Sequence, residues 1–100
     1  MYGTVARMKI KPGGLEELAQ MENGRKPKGI IGTLVYRSDD KPDELWMVVL
    51  FEDKASYHAN AESPVQDQEF QRLRALLQED PEWHDGEVVF NSLPGLGKST

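Results

Sequence analysis

The seven residues Leu45-Trp46-Met47-Val48-Val49-Leu50-Phe51 contain no polar side chain beyond the indole of Trp46. Successive side chains of a strand point to opposite faces, so a strand built from them is apolar on both sides. Trp46, Val48 and Leu50 take one face, and Leu45, Met47, Val49 and Phe51 take the other. Whatever this chain folds into must keep water from both. A chain of 100 residues is a single domain, and one of that size buries about two-thirds of its extended surface. Its own helices suffice for one face of a sheet. A second copy of the molecule is the simplest cover for the other, because a bare face would exceed the apolar patch that monomers tolerate.

The rest of the chain supplies the partners for that strand. Tyr2 to Ile10 alternates with period two and predicts a first strand, ended by Lys11-Pro12-Gly13-Gly14. Leu15, Leu18, Ala19 and Met21 then mark the apolar face of a helix whose acidic start, Glu16 and Glu17, suits the helix dipole. Gly24 is placed to stop it. Gly29 to Arg37 predicts a second strand, joined to the third by the polar connection Ser38 to Glu44, so the two are antiparallel neighbours. Asp53 caps a short polar helix through Ala61. Ser63, Pro64 and Gln66 open another as N-cap, first helical residue and capping-box partner. Phe70, Leu73, Leu76 and Leu77 form its stripe, and Pro81 ends it near Asp80. Trp83-His84-Asp85-Gly86 reads as a turn opening a fourth strand, Glu87 to Phe90. This order predicts an α+β, ferredoxin-like βαββαβ domain, a four-stranded antiparallel sheet with helices on one face. It spans residues 1–91, with 92–100 as a loose tail.

Composition removes several function classes. Hydrophobic residues make up 38% and charged residues 29%, as in ordinary globular proteins. No apolar run approaches the roughly 20 residues that span a bilayer, and the N-terminus lacks the apolar core of a secretion signal. There is no cysteine, hence no disulfide, thiolate ligand or thiol nucleophile, which fits a reducing cytoplasm. A net charge of −5 argues against nucleic acid, and Arg25-Lys26-Pro27-Lys28 reads as a solvated turn. Gly97-Lys98-Ser99-Thr100 imitates the end of a phosphate-binding loop, but Ser92 stands where the pattern needs glycine and no helix follows. His58 and His84, with no cysteine, form no recognisable metal set. Ser56 and Ser63 read as helix-start residues, so spacing identifies no nucleophile–base pair.

The stretch Phe51-Glu52-Asp53-Lys54-Ala55-Ser56-Tyr57-His58-Ala59-Asn60-Ala61-Glu62-Ser63-Pro64, with Pro81-Glu82-Trp83-His84-Asp85-Gly86-Glu87-Val88 after it, resembles the antibiotic biosynthesis monooxygenase family. The likeness runs from Met1 to about Asn91. It implies a dimeric α+β barrel, a homodimer with sheets packed face to face. It also implies oxygenation of a small aromatic, an anthrone or quinol, with no metal, flavin or other cofactor. Two positions depart from the family pattern: Phe51 stands where many members have Trp, and the family His falls on Asn60, two residues after His58. Two residues turn a helix by about 200°, so His58 and Asn60 cannot both face one pocket. Relatives that degrade haem use an Asn in the first strand and a His in the second helix. Tyr2 to Ile10 has no Asn, and Phe70 stands near that His position, which argues against haem chemistry.

Such an oxygenation asks for a dry apolar pocket, a polar group that helps deprotonate the substrate, and room for dioxygen. Asn60 and His58 are the candidate catalytic residues. Asn60 would stabilise developing negative charge, although an amide is no general base, and His58, ordinarily titrating near 6.5, would be one if it lined the pocket. Each is otherwise a polar surface residue of a short helix. Tyr36, Trp46, Tyr57 and Trp83, with Phe51 at the family Trp position, are candidate substrate-binding aromatics, or else core and interface anchors. Arg7 pairs either with an anionic substrate or with an acidic side chain across the sheet or the dimer, and His84 reads as solvated. Two functions remain: a cofactor-independent monooxygenase, or a dimeric barrel that binds a small apolar ligand or serves a stress response.

Overall fold

The structure, a computed structural model, describes residues 1–22, 24 and 26–94, with no side-chain description for residue 22. Arg25 of the basic run and the glycine-lysine pair of the tail lie outside the described residues, as does the tail itself from residue 95. Strand β1 (Tyr2–Lys9) leads into helix α1 (Gly14–Glu22), then the hairpin of β2 (Ile30–Arg37) and β3 (Glu44–Phe51). Helices α2 (Lys54–Ala61) and α3 (Pro64–Ala75) follow, and β4 (Glu82–Glu87) closes the domain. The sheet order is β2-β3-β1-β4 with every pairing antiparallel, the α+β ferredoxin-like arrangement expected from the sequence. No helix of the described residues is long and apolar enough to cross a membrane.

Both N-caps form, but the capping box expected of Gln66 does not: the Ser63 amide donates to the Asn60 carbonyl, and Gln66 Oε1 accepts from Asn60. Asp53 accepts the amide of Ser56 at 2.7 Å, and this bond holds its carboxyl below the usual range. Ser63 accepts the amide of Val65, with Pro64 in the first turn behind it. Between α2 and β2 the chains come close at Gly29, whose φ of 84° suits glycine and where a Cβ would meet the Ser56 side chain.

The two sheet faces differ. Ala6 and Met8 of β1 and Leu45 and Met47 of β3 pack under Leu18 of α1 and Leu73 and Leu77 at the end of α3, all nearly or fully buried. The opposite face has no cover: Leu34 is 59% exposed, Tyr36 53% and Val5 38%, with Val48 and Leu50 beside them. Both faces of β3 are apolar, and only one is covered among the described residues.

Two boundaries differ from the sequence reading. Helix α3 ends at Ala75, short of the stop expected near Asp80, so Leu76 is its C-cap and Leu77 lies beyond it, bridged to Ile10. Strand β4 is Glu82–Glu87, so Trp83-His84-Asp85-Gly86 is the strand itself and not its opening turn. Ala6 pairs with Trp83, Thr4 with Asp85 and Tyr2 with Glu87. The edge ends there because its antiparallel neighbour β1 begins at Tyr2; the last bond runs from the Val88 amide to the Met1 carbonyl. Val89 and Phe90, β-branched and aromatic, therefore lie 85% and 76% exposed. Register with the neighbouring strand outweighs local strand propensity.

Candidate active site

The core fills only one end of the space between helices and sheet. Leu18, Leu73 and Leu77 serve the end near Met8 and Leu45, while the other end is roofed by α2, an eight-residue helix with no buried residue. A cavity of about 440 Å³ remains there, open on one side. That is within the usual range for a small-molecule site.

Its floor comes from the inner face of the sheet: Thr33, Met47, Val49 and Phe51, with Thr4 in the middle strand and Trp83 and Asp85 at the β4 edge. Its roof follows helical spacing. Tyr57, Asn60 and Ala61 occupy positions i, i+3 and i+4 of α2, and Gln66, Phe70 and Leu73 positions i, i+4 and i+7 of α3. Phe70 faces Trp83 across the cavity at 6.4 Å between ring centroids, and Tyr57 meets Phe51 edge-on at 5.6 Å. Most of the wall is apolar.

The polar groups gather at one side. Thr4 is 4% exposed, and its buried hydroxyl has no partner in hydrogen-bonding geometry among the described residues, although it lies near enough to the Tyr57 phenol to favour that group's ionised form slightly. The Tyr57 hydroxyl donates to Asp85 Oδ1 at 2.8 Å, tying α2 to β4. Burial first and the Asp85 carboxylate second push the Tyr57 phenol up to about 12. Asn60 Nδ2 donates to Gln66 Oε1 at 3.2 Å, joining the two roof helices. The charged groups lining the cavity among the described residues are Asp67, Glu69 and Asp85, all acidic.

The sequence candidates divide by place. Asn60, Phe51, Tyr57 and Trp83 meet around this cavity. His58 does not reach it: one residue beyond Tyr57 on α2, it is exposed and packs against the rings of Tyr2 and Tyr57. The 200° between His58 and Asn60 places the amide inside and the imidazole outside. Tyr36, Trp46 and Arg7 lie on the uncovered sheet face, away from the cavity. There Arg7 bonds Glu44 at 2.9 Å, the cross-sheet pairing that was one of its two readings. Ser38 and Trp46 donate to the same carboxylate, and Ser38 foremost holds Glu44 below its ordinary range. His84, also on that face, bonds Glu82 at 2.7 Å. Among the described residues, no three His, Cys, Asp or Glu side chains are grouped to hold a metal ion.

Among the cavity residues that the sequence reading did not offer as site candidates, Thr4 and Asp85 matter most to the chemistry. Thr4 is the small polar residue on the inner face of β1, between Tyr2 and Ala6, and that interruption was visible in the alternation. Asp85 was hidden by the assignment of its segment to a turn.

A family model for antibiotic biosynthesis monooxygenases matches residues 1–75. Among solved structures, a conserved protein from Methanosarcina mazei Go1 superposes with a TM-score of 0.69 at 23% identity, over 85% of this chain and 89% of that one. A Chloroflexus aurantiacus protein provisionally assigned as an antibiotic biosynthesis monooxygenase gives 0.72 at 23% identity, over 94% and 98%. SnoaB from Streptomyces nogalater, a cofactor-independent oxygenase, gives 0.71 at 16% identity, over 93% and 96%. No curated protein sequence matches the chain at significant similarity. At these identities the solved structures speak to the fold.

Proposed function

The chain belongs to the antibiotic biosynthesis monooxygenase family, and from that premise we propose that it is a cofactor-independent monooxygenase of a small hydroxylated aromatic. One observation carries the reading: an apolar cavity whose floor holds the buried, unpartnered hydroxyl of Thr4. An unsatisfied buried polar group costs roughly 1–3 kcal/mol. A bound oxygen atom in the cavity supplies the missing partner.

The chemistry suits such a wall. Met47, Val49, Phe70 and Trp83 hold a flat aromatic ring out of water, with its oxygen at the Thr4, Tyr57 and Asn60 side. Loss of a proton leaves an electron pair delocalised onto a ring carbon. That carbon passes one electron to dioxygen, the two radicals join as a carbon–oxygen bond, and the hydroperoxide sheds water. One methylene and one O₂ become one carbonyl and one H₂O. Hydroxyl and amide N–H groups facing the substrate oxygen stabilise its growing charge, an effect worth about 10²–10³ in rate for one such donor.

The working unit is a homodimer closed through Val5, Leu34, Tyr36, Val48 and Leu50, whose exposure otherwise leaves an apolar sheet face in water. The absence of cysteine suits work in the cytoplasm. Oxygen uptake by metal-stripped protein with anthrone as substrate tests the activity, with Asn60→Ala alongside. The expected result is uptake above the spontaneous rate, reduced at least tenfold in the variant. No uptake on anthrones or quinols would instead favour a site that binds a small apolar ligand without turning it over.

A further inference from the structure

We propose that Asp85 is the terminal proton acceptor of this cavity, reached through the hydroxyl of Tyr57. The inference rests on the oxygenase reading and supplies the base that reading leaves open. Neither imidazole of the chain serves: His58 is exposed outside the cavity, and His84 is on the other sheet face, bonded to Glu82. Thr4, Asn60 and Gln66 are not bases. Asp85 lies on the inner face of β4 in register with Thr4, so the unpartnered hydroxyl and the carboxylate are strand neighbours. Its Oδ1 holds the Tyr57 proton at 2.8 Å.

The hydroxyl of the substrate's enol tautomer, placed beside Tyr57, donates to the phenol oxygen. As the substrate O–H bond breaks, a new O–H bond forms on Tyr57, whose former proton moves to Asp85 Oδ1. The electron pair stays on the substrate, and aspartate becomes the neutral acid. After oxygen adds, that acid protonates the peroxide anion, and loss of water follows with the carboxylate restored. The burial that raises the Tyr57 phenol keeps it protonated at neutral pH, so it relays a proton and holds no charge of its own.

The relay also answers the charge of the site. Asp67 and Glu69 of α3 line the same cavity, Tyr2 packs against Tyr57 and carries the Lys54 ammonium over its ring, and Glu87 lies two residues beyond Asp85 on the same face. A substrate anion formed among carboxylates is repelled unless one of them is neutralised in the same step, and transfer to Asp85 leaves the total unchanged.

The test is the pH profile of anthrone-dependent oxygen uptake by the full chain, its Asp85→Asn variant and its Tyr57→Phe variant. Positioned acid–base groups contribute about 10²–10⁴-fold. Both variants should lose at least a hundredfold in kcat/KM near pH 7, keep anthrone binding by fluorescence quenching, and recover as pH passes the ionisation of anthrone itself, which then arrives deprotonated. Neutral-pH rates within twofold of the parent, or a loss with no alkaline recovery, would overturn the relay and leave the oxygenase reading standing. No uptake by the parent chain would overturn both.

Discussion

Thr4 carries the cost of a buried hydroxyl with no partner in bonding geometry, a cost that a ligand oxygen would relieve. Replacing it with the isosteric valine removes the buried orphan hydroxyl and keeps the shape. Thr4→Val should therefore be more stable than the parent by roughly 1 kcal/mol in chemical denaturation, while its oxygen uptake falls. A variant less stable and fully active would mean the hydroxyl serves the fold. Glu44 works on the other face, where Ser38, Trp46 and Arg7 all donate to it. Its folded carboxyl titrates below the ordinary value of 4.5, so its stabilising effect is complete above that pH and fades as acid passes through the lower folded value. Glu44→Gln should accordingly unfold more easily than the parent at pH 7, with the gap closing in acid. A gap that widened below pH 4.5 would reverse the assignment.

Elements were legible where one residue type dominates local geometry. Asp53, Ser63 and Pro64 set helix starts through bonds made within three residues, and both apolar faces of Leu45–Phe51 were written in its composition. The end of β4 was not, because it depends on where β1 begins, at Tyr2 and far away in sequence. The cavity was not legible either. It exists because α2 buries nothing and α3 fills only the far end, a packing outcome that periodicity does not encode. The family resemblance pointed to Asn60 and aromatic type to Tyr57, while Asp85 needed the register. Two substitutions probe this level. A Cβ on Gly3 would strike the Val49 carbonyl, so Gly3→Ala should force β1 from β3 and destabilise by about 1–3 kcal/mol. Leu77→Ala, under the closed end of the core, should cost about 2–5 kcal/mol and leave the cavity chemistry intact in the surviving folded fraction.

At the scale of the molecule, one sheet separates two tasks. The helix side holds a partly filled interior with an acidic, hydroxyl-bearing edge, and the open side is an apolar plane suited to a second copy. A carboxylated anthrone should be turned over at least tenfold less efficiently than its neutral parent, and added salt should narrow the difference, since Asp67, Glu69 and Asp85 repel it. Sedimentation should find dimers, and Leu34→Asp, on the exposed plane, should shift them to monomers. Dimers unaffected by that charge would place the contact elsewhere.

The central claim is that this cavity inserts one atom of dioxygen into a bound aromatic using side chains alone. Mass spectrometry of the product formed by metal- and flavin-stripped protein under ¹⁸O₂ tests it directly. The account predicts one ¹⁸O atom in the product carbonyl and a yield that falls in Asp85→Asn at neutral pH. Product without label, or labelled product formed equally by both proteins, would contradict it.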